Sequence, residues 1–132
     1  MKMSAFQFKN PVLTELEFGI NKDYFGQSNE EQQISVNMEV QVDRKNNVNE
    51  AEVSLKFRLG DKDNENPFYI FAIEKAEFRW ENGLKDEAVE QLLNQNAPSL
   101  LISYLRPIIV QITAASPYDT FNIPFINFTN YK

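Results

Sequence analysis

Three runs of alternating apolar residues, followed by a stretch with helical spacing, constrain this chain more than any other feature of its sequence. Ile34, Val36, Met38, Val40 and Val42 form an unbroken row at every second position, opposed by Ser35, Asn37, Glu39, Gln41 and Asp43. Successive side chains of a strand point to opposite faces, so such a row marks a strand with one dry and one wet side. Ala51, Val53, Leu55, Phe57 and Leu59 repeat the pattern after turn residues Asn46 and Asn47, which predicts a hairpin. Val12, Leu16, Phe18 and Ile20 share one face of an earlier strand, with Glu15 and Glu17 on the other. A fourth run, Phe68 to Trp80, changes phase between Phe71 and Ile73 and the later Ala76, Phe78 and Trp80, which predicts a bulge or a bend near Glu74 and Lys75. Short connections make these runs a four-stranded antiparallel meander.

Beyond Asn82-Gly83 the period lengthens to that of a helix. Asp86 and Glu87 suit a first turn, and Ala88, Val89, Leu92 and Leu93 make an apolar stripe that ends near Asn94 to Asn96. A second helix is expected from Pro98 to about Ala115, with a kink at the internal Pro107. Its stripe of Leu100, Leu101, Tyr104, Leu105, Ile108 and Ile112 is widened by Ile102, Ile109 and Val110. A helix apolar on more than one side must be covered on more than one side. One sheet cannot do that alone, so an oligomer with helices at its centre is expected. The fold class is α+β, a single domain over residues 1–132.

Composition removes whole classes of chemistry. The chain has neither Cys nor His. Disulfides, thiolate or imidazole zinc sites, serine triads and imidazole acid–base catalysis each need one of those side chains. No catalytic residue, metal or cofactor is assigned, and the chain is read as a non-enzyme. A net charge of −6 repels phosphate backbones and anionic lipid, so neither nucleic acid nor a membrane is an expected partner. The first ten residues lack an apolar run of signal-peptide length, and Leu100 to Ala115 is interrupted by Ser103, Arg106 and Gln111, so a cytoplasmic protein is expected.

In the last third, Asn96-Ala-Pro-Ser-Leu-Leu-Ile-Ser-Tyr-Leu-Arg106 precedes an apolar helix. Tyr118-Asp-Thr-Phe-Asn-Ile-Pro-Phe-Ile-Asn-Phe128 follows it. Pro98, Leu100, Leu101, Tyr104, Arg106, Phe121, Ile123, Pro124, Ile126, Asn127 and Phe128 match, by type and order, the helix start and tail of the SecB family of protein-export chaperones, which the chain resembles. The resemblance implies a four-stranded sheet packed on two helices, a dimer of dimers, and an ATP-independent holdase for unfolded or nascent polypeptides. It also implies apolar grooves, whose matching positions here are Tyr24, Phe25, Val40, Val42, Tyr104, Ile108 and Phe121. Nondirectional apolar burial suits a site that takes many sequences.

Export-type members engage the translocation motor ATPase through acidic positions on the outer sheet and carry a mobile tail. Glu15 matches one such position and Glu17 lies on the same wet face, whereas Gly19 and Ala72 stand where others are acidic and the sequence ends at Lys132. A SecB-like chaperone dedicated to a toxin–antitoxin client is therefore an open variant. Two readings from other classes stand beside it: a small-molecule or lipid-binding α+β domain, and a carboxylate-dependent hydrolase supported only by the abundance of Asp and Glu.

Overall fold

A computed structural model describes residues 4–25 and 34–130. One antiparallel sheet contains β1 (Phe6–Phe8), β2 (Val12–Ile20), β3 (Val36–Arg44), β4 (Glu50–Gly60) and β5 (Phe68–Trp80). The strands β3, β4 and β5 are successive neighbours, joined first through a turn in which Asn47 takes φ 64°, a left-handed conformation that asparagine tolerates.

The expected meander needs correction at its first member. β2 pairs with β5, Ile20 opposite Phe68, and not with β3. The connection from Asn21 to Ser35 is too long for a hairpin and takes the chain from one sheet edge to the other. Its start is tied to the loop before β5: Asn21 N–H donates to the Pro67 carbonyl at 3.0 Å, and the Asn21 side-chain amide to the Asp61 and Asn66 carbonyls at 2.6 and 2.8 Å. A fifth strand, β1, continues the same edge, with Phe6 opposite Trp80.

The bulge also lies elsewhere. β5 pairs with β4 without a shift from Arg79 to Tyr69, and its even-numbered residues face the dry side throughout. Glu74 is therefore a core-facing residue, and Phe71 and Ile73 point outward. The register shifts instead in β2, between Leu13 and Glu15. This places Leu13 on the dry face and moves Val12 to the wet one.

A single 29-residue helical run, Asp86–Ala114, covers the dry face where two helices were expected. It joins α1 (Asp86–Gln91) to α2 (Ala97–Ala114) through a wide turn of π-helix, Leu92–Asn96. Pro98 has no N–H to offer the ladder. The wider turn just before it, in which Ala97 N–H reaches back to the Leu92 carbonyl, lets the helix continue. By length and composition this run could cross a membrane, a test that core helices of soluble proteins also pass. Here one side lies on β4 and β5.

That side is Leu101, Ile102, Leu105, Ile109 and Thr113; of the expected stripe it takes Leu101 and Leu105 and leaves Leu100, Tyr104, Ile108 and Ile112 less covered. It meets Val53, Leu55, Phe57, Leu59, Ile70 and Phe78 in one buried core. Beyond the helix the chain folds back along it. The Arg106 guanidinium donates to the carbonyls of Ile123 and Pro124, both at 3.0 Å, and Phe121 N–H donates to Thr113 Oγ1 at 2.9 Å. Ile123 and Phe128 close the core.

Candidate polypeptide-binding surface

The two sheet edges differ in a way that bears on binding. On β3, Gly60 N–H donates to the Ser35 carbonyl at 2.8 Å and Lys45 N–H to the Glu50 carbonyl at 2.9 Å, so odd-numbered residues bond to β4. The backbone groups of Val36, Met38, Val40, Val42 and Arg44 consequently point away from the sheet. Among the described residues nothing pairs with them. Side chains of the same valines and of Met38 lie half-buried on the dry face. Natural edges are usually blunted by proline, bulges or inward charges, yet the β3 register is continuous from Val36 to Arg44. The opposite edge is interrupted at Pro11 and by the β2 bulge.

Apolar groups at that second edge face the dry side but remain uncovered: Phe8 and Leu16 are each 44% exposed and Ile20 is 36% exposed. Tyr104, 39% exposed on α2, meets Phe8 edge-on with ring centroids 6.4 Å apart. Sequence reasoning passed over Phe8, Leu16 and Ile20, because alternation identifies a dry face without saying whether a layer covers it.

The groove positions implied by the resemblance fall into four places. Tyr24 and Phe121 lie at the far end of α2, where the Tyr24 ring meets Tyr118 at 5.9 Å and Tyr118 meets Phe68 at 6.1 Å. Phe25, 69% exposed, begins the crossover beside Asn64. Val40 and Val42 belong to β3, whereas Tyr104 sits by β1, with β4 and β5 between them. Ile108 is half-buried one turn beyond Tyr104. Phe125, 93% exposed in the tail, adds a further uncovered apolar group.

On the outer face Glu15 and Glu17 are both exposed. Lys62 Nζ lies 2.6 Å from Glu17 Oε1, and this partner holds the Lys62 ammonium above its ordinary pKa. Arg58 lies over the Phe71 ring at 5.1 Å and Lys62 over Tyr69 at 5.0 Å. This half of the face is therefore a mixture of cations, aromatics and carboxylates.

The fold recurs in a solved chaperone structure. The structure of the Mycobacterium tuberculosis SecB-like chaperone Rv1957, solved with a ChAD peptide from the HigA1 antitoxin, matches with TM-score 0.74 at 12% identity, over 92% of this chain and 91% of that one. A Streptococcus agalactiae protein of unknown function matches with TM-score 0.49 at 12% identity, over 91% and 97% of the two chains. No match was found among curated proteins. Residues 6–131 match the family model of preprotein translocase subunit SecB, and the chain belongs to the SecB family.

Proposed function

We propose that this protein is a chaperone that holds unfolded or precursor polypeptides in extended form, without nucleotide or catalysis. Family membership supports a chaperone role over an enzymatic one. The observation that carries the reading is the unprotected β3 edge, whose free backbone groups belong to the residues with half-buried apolar side chains. An extended segment laid there would satisfy its own backbone and bury alternate side chains. The outward Glu39 and Asp43 make no ion pair among the described residues and favour basic or neutral groups at the intervening client positions. Tyr24, Phe25, Val40, Val42, Tyr104, Ile108 and Phe121 would line the path of a client.

Uncovered Phe8, Leu16 and Ile20 support assembly, as a cytosolic homotetramer in which neighbouring copies cover these groups. The antitoxin peptide bound by the mycobacterial relative makes a dedicated antitoxin client the leading variant. The pairing of Glu17 with Lys62 weakens the case for the translocation motor as a partner. Between sheet and helix the space is filled by fully buried Leu55, Phe57, Leu101 and Leu105, which does not favour a lipid carrier.

The test is suppression of aggregation of a chemically denatured client at one tetramer per client, paired with sedimentation to give the native mass. Complete suppression by a species four times the 15.4 kDa chain is expected. A monomer that leaves aggregation unchanged would sink the proposal.

A further inference from the structure

Glu74 stands in the middle of the dry face, 2% exposed, in a cross-strand row with Val40, Leu55 and Leu13. Its Oε2 has no hydrogen-bond partner among the described residues. Along β5 its dry-face neighbours are Ala72 and Ala76, and the diagonal positions on β4 and β2 are Val53, Phe57 and Leu16. The sheet-facing residues of α2 are Leu101, Ile102, Leu105, Ile109 and Thr113. None of these groups titrates or carries charge. Tyr104 faces Phe8, and the Arg106 guanidinium is committed to the tail carbonyls. A carboxylate here, 2% exposed, would have little water and no counter-charge among the described residues, an unfavourable setting for an ion.

We propose that Glu74 is a gate for helix α2: as the neutral acid it lets the helix lie on the sheet, and as the carboxylate it loosens that contact and uncovers the apolar faces beneath. Two features make α2 suited to partial release. The π-turn at Leu92–Asn96 stands before it, and Pro107 removes a backbone bond within it. Burial pushes the Glu74 pKa above the ordinary carboxylate range. For an acid whose folded-state pKa exceeds its unfolded-state value, the stabilising contribution is complete below the unfolded value and is lost as pH rises through the folded one. The gate therefore opens on the alkaline side. For its purpose it rests on the client-holding reading, because the dry face it uncovers adjoins the half-buried Val40 and Val42 of the β3 edge, where a client would lie.

The experiment follows binding of Nile red, a neutral apolar dye, to the full chain between about pH 5 and pH 8, with far-UV circular dichroism recorded on the same samples. Wild type is expected to gain at least about threefold in dye binding across that range with its helical signal unchanged. The isosteric Glu74→Gln and the apolar Glu74→Leu variants should stay at the low, acid-side level. A flat wild-type curve, a Glu74→Gln curve that tracks wild type, or dye uptake only with loss of helical signal would each overturn the gate. The dye reports without a client, so a failed gate leaves the holding function to its separate aggregation test.

Discussion

Tyr69 lies across Gly19 on the outer face of the sheet, and a methyl group added at position 19 would collide with the phenol end of that ring. Gly60 differs in kind: it adopts φ 68°, and a Cβ there would strike the Phe68 carbonyl, which is backbone and cannot swing aside. Gly19→Ala is expected to cost about 1 kcal/mol, since a ring can turn. Gly60→Ala should cost roughly 2 kcal/mol or more. Chemical denaturation of both single variants, and of each combined with Tyr69→Ser, distinguishes the cases. The double variant should recover the stability lost at Gly19 and none of that lost at Gly60. Neither contact was legible in the sequence, where Gly19 stood out only as a position that is acidic in other members of the resembled family. Glu74 was legible and misread: a charged residue in an apolar row looks like a phase slip, and only the unbroken pairing with β4 shows that the row continues through it.

At the scale of elements, α2 has two apolar sides with different tasks. Leu105 and Ile109 are fully buried against the sheet, whereas Tyr104 and Ile108 stand on the less covered side. Leu105→Ala or Ile109→Ala should lower stability by about 2–5 kcal/mol. Tyr104→Ala and Ile108→Ala should leave the monomer fold nearly as stable and weaken client capture or assembly, read by aggregation suppression and sedimentation. Equal stability losses on both sides would remove the distinction. β3 and β4 were legible from their alternation, because a half-buried strand records its environment at every second residue. The helix was legible in extent but not in continuity or rotation. Pro98 reads as a helix start in isolation, and only the π-turn accommodates it mid-run. Arg106 holds the tail to one flank of the helix.

For the molecule as a whole, strand order was the least legible feature, because alternation says which residues share a face but not which strands lie side by side. Composition carried more: without Cys or His, thiol and imidazole chemistry have no side chain to rest on. The edge formed by β2 closes across a long stretch of chain, as in the Thr14 hydroxyl donating to the Ile73 carbonyl 59 residues away at 3.3 Å. Contacts of that separation form late when more local pairings are available. Leu16→Ala in β2 should therefore speed unfolding and barely slow refolding, while Leu55→Ala in β4 should slow refolding; stopped-flow traces with the reverse pattern would refute this. On the ribosome the same arrangement has a cost. The first long strand to be made emerges well before the one it must join, and until synthesis has passed Trp80 this protein is itself a nascent chain with an unmatched greasy segment, in need of the shelter it is proposed to give to others.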